Sequence, residues 1–315
     1  MKVAVLDDIH HAWESTSGLR RLRQRAEVHV LTAPFADPAA LRGFDALIAN
    51  RERTRFTREL FARLPDVRVI AQTGNHAYHV DFDAARERGI VIAKASGGFG
   101  TGAGELVFGL AISLMRGIPD ADLNVKSGRW LTPLGVELYG KTMGIVGLGR
   151  IGSHVARIAG AFGMRVLAWS RRPDAARAAA VGAELAELDT LLAQSDVVSV
   201  HVTLSSESRG LIDARRLGLL KSTAFLINTS RGPVIDETAL VAALADRRIA
   251  GAGLDVFDTE PLPAGHPLTT VPNVVLTPHM GWPTDKMYDQ FANAAADALM
   301  AFMDGLPVPT FEERH

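Results

Sequence analysis

The chain has 315 residues, 47% of them hydrophobic, and its 34 basic and 35 acidic side chains leave a formal net charge of −1. That length suggests about two domains, and the balanced charge offers no basic face to nucleic acid. The chain contains no cysteine, which excludes disulfides, thiolate zinc sites and cysteine nucleophiles. An apparent strand occupies Met1 to Leu6, so there is no room for a signal peptide ahead of it. No apolar run reaches the roughly 18 residues that a membrane span needs. A cytoplasmic protein without nucleic-acid or membrane partners is expected.

The N-terminal part alternates apolar strands and helices. Lys2 to Leu6, Glu27 to Leu31, Ala46 to Ala49, Val67 to Ala71 and Ile90 to Ala93 read as strands. Between them, helices are expected around Leu19 to Arg25, after Asp37-Pro38, through Arg58 to Leu64, and from a cap at Asp81 to Gly89. Strands that are apolar throughout and separated by helices point to a parallel sheet covered on both faces. Arg51 to Thr54 follows one strand and Gln72 to His76 follows another, both at carboxyl strand ends, where open α/β sheets bind ligands. The backbone of Thr73, Gly74 and Asn75 suits a substrate carboxylate, and Arg51 offers a guanidinium; for Arg51 and Arg53 a solvated charge cluster is the alternative. His76 and His79 are spaced i, i+3 without a third ligand, so no metal is expected.

Gly97 to Gly104 forms a glycine-rich crossing suited to a hinge, with a second hinge point at Pro283 to Lys286. A helix from about Gly102 to Met115 follows, and Ile118 to Tyr139 reads as less regular. Then comes Lys141 to Gly152, KTMGIVGLGRIG. It combines a buried strand (Met143 to Val146), a Gly-x-Gly-x-x-Gly turn and the start of a helix. Gly147 permits the tight turn, Gly149 lets the backbone approach a pyrophosphate, and Gly152 lets the helix pack on its strand, with Arg150 and Ile151 between them. The helix N-terminus then presents free N–H groups and a positive dipole end. Further strands are expected at Arg165 to Ser170, Val197 to Val202, Ala224 to Asn228, Gly251 to Val256 and Val274 to Leu276. A final helix, about Asp285 to Met303, is expected to return to the first domain.

Three polar residues follow the ends of the later strands: Arg231, Glu260 and His279. Arg231 offers a planar fork to a carboxylate or carbonyl oxygen. His279 can give a proton to an oxygen as hydride reaches the adjacent carbon, and take it back in reverse. Glu260 can accept the other ring N–H and favour the imidazolium. Together the three suit hydride transfer to a 2-keto acid.

The order GLGRIG, NTSRGPVIDETAL, LDVFDTEPL and TPHMG, with GELVFGLAISL, LYGKT and SVHVTLSSESRGLI, closely resembles the NAD(P)-dependent D-2-hydroxyacid dehydrogenases, relatives of glyoxylate/hydroxypyruvate reductase and phosphoglycerate dehydrogenase. The resemblance runs from about Ala46 to about Phe302. It implies that Arg231, Glu260 and His279 are catalytic, that Asp255 lies by the nicotinamide carboxamide, and that Thr229 and Ser230 line the cofactor, with Thr203 beside it where many relatives have proline. It implies a homodimer involving the helix near Glu105 to Met115. The implied fold is α/β, with two Rossmann-like domains of parallel sheet. A flavodoxin-like, discontinuous substrate domain (1–98 and 287–315) would carry an inserted cofactor domain (99–286).

One departure bears on the cofactor. The position at the end of the second strand, about 20 residues after the first glycine, carries a carboxylate for the ribose hydroxyls in NAD-type sites. Here it is Ser170, followed by Arg171 and Arg172, which suits a 2′-phosphate. The reading therefore leans to NADP over NAD, and Asp174 is read as a helix cap rather than the missing acid. The expected activity is an oxidoreductase of EC 1.1.1 type acting on a small 2-keto or 2-hydroxy acid. An NAD-type formate dehydrogenase is disfavoured by Glu260, where that activity resembles a site with glutamine. The alternative from another class is an inactive dinucleotide-sensing protein of the corepressor type. Trp282 either covers the nicotinamide or packs under its loop.

Overall fold

A computed structural model describes residues 1–33, 37–97, 101–131 and 134–311. Its strands in chain order are β1 (Lys2–Val5), β2 (Glu27–Val30), β3 (Ala46–Ala49), β4 (Val69–Thr73), β5 (Val91–Ala95), β6 (Thr142–Val146), β7 (Arg165–Trp169), β8 (Glu184–Leu185), β9 (Val197–Val200), β10 (Phe225–Asn228), β11 (Gly251–Leu254) and β12 (Val274–Leu276). The α-helices are α1 (Ser17–Leu22), α2 (Arg58–Ala62), α3 (Phe82–Glu87), α4 (Gly102–Arg116), α5 (Ile118–Lys126), α6 (Arg150–Ala161), α7 (Ala175–Ala179), α8 (Leu188–Gln194), α9 (Ala214–Leu217), α10 (Glu237–Ala245) and α11 (Asp285–Met303). The chain divides into two compact units, 1–100 with 283–315, and 101–282.

In the first unit a parallel sheet runs in the order β2-β1-β3-β4-β5. This is the flavodoxin-like order for a doubly wound sheet. Its middle strands are buried along their whole length, as the apolar runs require. The C-terminal helix α11 lies along α1, where Gly18 permits contact so close that a Cβ would sit 2.1 Å from the Ala292 carbonyl carbon. The chain then returns to the sheet edge, where the Lys94 N–H donates to the Pro309 carbonyl at 2.7 Å.

In the second unit the parallel order is β12-β11-β10-β9-β6-β7-β8. Numbered from β6 this is the doubly wound dinucleotide-binding order with one strand added, and it reverses direction between β6 and β9. One apolar layer, centred on Leu191, Val200, Leu226, Leu244 and Ile249, fills one face. The other face is covered by α4 and α6 through Val107, Leu110, Ala111, Val155 and Ala159.

Three expectations need correction. Gln72 and Thr73 are not loop but the end of β4, pairing with Lys94 and Ala95. A buried glutamine is tolerated there because its amide is satisfied: Nε2 donates to the Arg51 and Thr73 carbonyls, and Oε1 meets His79. The segment from Ile118 is helical as far as Lys126. Gly117, in the left-handed region at φ 60°, ends α4, and Pro119 occupies the first turn of α5. None of α5 is buried, so no apolar period marks it. After Asp37-Pro38 the chain makes only a 3₁₀ turn, Pro38–Leu41, capped by Asp37. The glycine-rich crossing falls partly outside the described residues, which omit 98–100.

Candidate active site

The glycine turn after β6 has a distinct geometry at each glycine. Gly147 stands at φ 106°, and a Cβ on it would lie 2.8 Å from the His201 backbone. A Cβ on Gly152 would lie 2.2 Å from the Gly147 carbonyl oxygen, so its absence lets α6 close on the turn. Around Gly149, by contrast, a Cβ would meet nothing within 4 Å. Its backbone is therefore bare toward open space, and α6 starts with no side-chain cap on its N–H groups. Arg150 and Ile151 are exposed beside it. These are the features a pyrophosphate cradle needs.

The turn is held from two neighbouring strands. The Gly147 N–H donates to the Trp169 carbonyl at 2.8 Å, and the His201 N–H donates to the Val146 carbonyl at 2.7 Å. The Leu148 N–H donates to Ser170 Oγ at 2.8 Å, so Ser170 braces the turn as well as ending β7. Arg171 forms an ion pair with Glu207, and Arg172 is exposed. Asp174 caps α7 by accepting from the Arg177 N–H, as expected. Arg177 itself, for which no role was expected, donates from Nη1 to the Leu148 carbonyl at 3.3 Å. Thr203 is exposed in the loop after β9.

After β10, the buried Asn228 folds the next turn. Its Oδ1 accepts from the Ser230 N–H and Oγ–H, and its Nδ2 donates to the Arg231 carbonyl. Arg231 is half-buried and donates from Nη1 to the Ser230 carbonyl at 2.7 Å. Thr229 Oγ1 is buried with no hydrogen-bond partner among the described residues. A polar atom left in that state invites a polar ligand.

The segment bearing His279 is shaped by Asp255, just past β11. Asp255 Oδ1 accepts from Thr277 Oγ1 at 2.6 Å and from the Met280 N–H at 2.8 Å, while Oδ2 accepts from the Gly281 N–H at 2.9 Å. Burial pushes its carboxyl above the usual range, against the pull of those three donors. The His279 N–H donates to the Asp255 carbonyl, and His279 sits in the left-handed region at φ 53°. Such a conformation is costly for a residue with a Cβ and persists only where its surroundings impose it.

Glu260 Oε2 meets His279 Nδ1 at 2.7 Å, and Oε1 accepts from the Phe257 N–H at 3.0 Å. Burial would raise the Glu260 carboxyl, but the His279 bond, the Phe257 N–H and the nearby His279 and Arg231 charges hold it below its ordinary value. An ionised carboxylate only accepts, so Nδ1 carries the ring proton and Nε2 is the atom left for proton exchange. Arg231, Glu260 and His279 thus follow three adjacent strands of one sheet, with Glu260 bonded to His279 and acted on by the charge of Arg231.

Arg51, Thr73, Gly74 and Asn75 belong to the first unit and form a group of their own. Thr73 Oγ1 donates to the Ala49 carbonyl and accepts from the Arg51 N–H, and the Gly74 N–H donates to the Ala95 carbonyl. Of the backbone groups expected to meet a carboxylate, the Gly74 N–H is therefore engaged internally, while Asn75 is exposed. Arg51 pairs with Glu52, which also bonds His76. Burial works against ionisation of Glu52, yet His76 and Arg51 together hold its carboxyl far below its usual range. Arg53 donates to the Asp7 carbonyl and to the Tyr288 hydroxyl. Among the described residues no three His, Asp or Glu side chains gather as a metal set.

A two-domain α/β fold with a glycine-turn dinucleotide unit and an Arg, Glu and His set at adjacent strand ends defines a class of dehydrogenases. The comparisons agree. Residues 108–281 match the family model of the D-isomer specific 2-hydroxyacid dehydrogenase NAD-binding domain. The chain is 37% identical over 303 residues to a glyoxylate reductase of Thermococcus litoralis, covering 92% of this chain and 91% of the relative. It is 36% identical over 297 residues to the D-3-phosphoglycerate dehydrogenase of Bacillus subtilis, covering 93% of this chain but only 56% of that longer relative. The apo structure of Escherichia coli D-lactate dehydrogenase superposes with a TM-score of 0.88 at 27% identity, covering 98% of this chain and 99% of that one. The chain belongs to the D-isomer specific 2-hydroxyacid dehydrogenase family. These relatives are dehydrogenases and reductases, which does not favour the corepressor alternative.

The sequence motif SVHVTL contains a residue that acquires a role only in three dimensions. His201 lies with Nε2 at 2.7 Å from Ser199 Oγ, and burial lowers its pKa from 6.5 to about 4. Between those values the unfolded chain binds a proton that the folded chain does not, so stability falls as pH drops from about 6.5 toward 4. Chemical denaturation at pH 7 and pH 4.5 should show this loss, and His201→Gln should reduce it. A variant with the wild-type pH dependence would exclude His201 as its source.

Proposed function

We propose that this protein is an NAD(P)H-dependent reductase converting a small 2-keto acid to the D-2-hydroxy acid, working as a cytoplasmic homodimer. The observation that carries the reading is the Glu260–His279 pair, an ionised carboxylate at 2.7 Å from Nδ1 of a ring whose Nε2 is free to exchange a proton. The bound dinucleotide supplies the hydride. Arg231 holds the substrate carboxylate and polarises the carbonyl with its planar fork. His279 delivers a proton from Nε2 to the carbonyl oxygen and is left neutral, with its proton on Nδ1. Glu260 fixes that tautomer and stabilises the imidazolium that must be present at the start.

The dinucleotide is assigned to residues 99–286. The open backbone at Gly149, flanked by Gly147, Arg150, Ile151 and Gly152, supports pyrophosphate binding there. The unpaired Thr229 hydroxyl supports a polar cofactor group beside Ser230, with Thr203 and Asp255 completing the lining. NADP is favoured over NAD because β7 is followed by Ser170, Arg171 and Arg172, with Arg177 close to the same turn. Glu207 is the charge that a 2′-phosphate would displace from Arg171. Residues 1–98 and 287–315 are assigned to substrate selection through Arg51, Thr73, Gly74 and Asn75, with the guanidinium of Arg51 and the exposed Asn75 the groups that face a ligand.

Dimerisation is assigned to apolar residues exposed within 118–131 and 134–139. Trp130 is 87% exposed and Leu134 is 99% exposed, with Leu123, Val125 and Tyr139 also open. Large apolar side chains left open over one stretch of chain are what an association surface requires. The helix that the resemblance places in the dimer, near Glu105 to Met115, buries Val107, Leu110 and Ala111 within its own unit and leaves Glu105 and Gly109 exposed.

His279→Ala should lower turnover at least about 100-fold while leaving dinucleotide affinity nearly intact; unchanged turnover removes His279 from the reaction. Alanine at both Arg171 and Arg172 should raise the Michaelis constant for NADPH and leave that for NADH alone. Equal effects on the two cofactors would reduce both residues to surface charge. In light scattering the wild type should weigh two chains and a Trp130→Ser, Leu134→Glu variant one. A monomeric wild type would refute the dimer.

A further inference from the structure

Another histidine–glutamate pair, Glu237 with His266, is joined to the Glu260 segment. Glu237 is the first residue of α10, where the helix dipole favours a negative charge. The cap of that helix is Asp236, which accepts from the Ala239 N–H, so the Glu237 side chain is turned to other partners. Its Oε1 meets His266 Nε2 at 3.1 Å, and its Oε2 accepts from the Asp258 N–H at 3.3 Å. The other ring nitrogen, His266 Nδ1, accepts from the Leu268 N–H at 3.3 Å. Nδ1 is therefore the acceptor and Nε2 the donor, which makes both groups facing Glu237 donors. Each carboxylate oxygen of Glu237 thus meets one donor, and the pair is largely shielded, with 20% of the Glu237 side chain and 18% of the His266 side chain exposed.

The peptide that Glu237 holds is the one from which the Glu260 segment is hung. On its other side Gly232, the residue after Arg231, approaches so closely that a Cβ would sit 2.1 Å from the Phe257 carbonyl carbon and 2.5 Å from the Asp258 nitrogen. The Phe257 N–H at the same place donates to Glu260 Oε1. The Phe257–Asp258 region is thus in contact with the Arg231 segment by backbone, with Glu260 by a hydrogen bond and with Glu237 by a charge-assisted one.

We propose that Glu237, oriented by His266, is a positioning residue for the reaction: it clamps the Phe257–Asp258 peptide and so fixes Glu260 against His279. The inference rests on the assignment of that pair as the proton-transfer machinery. A misplacement of catalytic groups by about 1 Å costs as much as 100-fold in rate. Glu237→Ala should therefore lower kcat about tenfold or more while leaving the dinucleotide dissociation constant unchanged. Glu237→Gln, which keeps one acceptor for the Asp258 N–H and nearly the same shape, should recover most of the lost kcat. In the same three proteins without ligand, hydrogen exchange of a peptide covering residues 257–262 should rise in the alanine variant and remain near wild type in the glutamine variant.

Wild-type kcat in Glu237→Ala, or a glutamine variant as impaired as the alanine one, would overturn the proposal. Unchanged exchange over residues 257–262 would overturn it as well, because the clamp would not exist. If the wild type itself turned over no 2-keto acid, the functional reading would fail instead, and the exchange measurement on the ligand-free proteins would still decide whether Glu237 holds the segment.

Discussion

The buried carboxylate of Asp255 is the constraint from which the geometry of the site follows. It gathers Thr277, Met280 and Gly281 onto two oxygens and draws the chain after β12 back over the end of β11. A carboxylate taken out of water without donors would be strongly unfavourable, and hydrogen bonds to charged groups contribute roughly 1.5–3 kcal/mol each. That stabilisation is enough to hold His279 in a left-handed conformation that a free chain would leave. With the backbone fixed there, Glu260 meets the imidazole at Nδ1 and holds its orientation.

The same logic repeats along the sheet. Asn228 at the end of β10 folds the turn that presents Arg231, and Ser170 at the end of β7 braces the glycine turn through Leu148. In each case a short polar side chain at a carboxyl strand end is committed to the backbone of a neighbouring loop. Reacting groups therefore sit on loops whose shape is set by the rigid sheet beneath them, which is how such loops reach the accuracy that proton transfer demands. The glycines set the complementary condition. Gly147 and Gly152 are bare because backbone presses on them, and Gly149 is bare toward open space.

Much of this was legible in the sequence, and the reasons are specific. Buried parallel strands appear as unbroken apolar runs, so the two sheets could be read almost strand by strand; only the two-residue β8, exposed at an edge, left no trace. Arg231, Glu260 and His279 were legible because each follows such a run. The roles of Asp255, Ser170 and Glu237 were not, because they consist of hydrogen bonds between segments far apart in the chain. Gln72 and Thr73 were misplaced for a related reason: a polar residue inside a strand looks like a loop until its partners are known. α5 was missed because a helix that buries nothing has no period. Asp255 was read from family resemblance as a neighbour of the cofactor; its bonds to Thr277, Met280 and Gly281 add the shaping of the His279 turn.

The central claim is that a proton-transfer pair and a dinucleotide cradle in one sheet serve reduction of a 2-keto acid. The most direct measurement is the initial rate of NADPH and NADH oxidation at matched concentrations with glyoxylate, hydroxypyruvate, pyruvate, phenylpyruvate and 2-ketoisocaproate in turn. Turnover with at least one of these acids, a D-configured product and the higher rate with NADPH are expected. A protein that binds dinucleotide yet reduces none of them, or that yields the L-hydroxy acid, would contradict that claim.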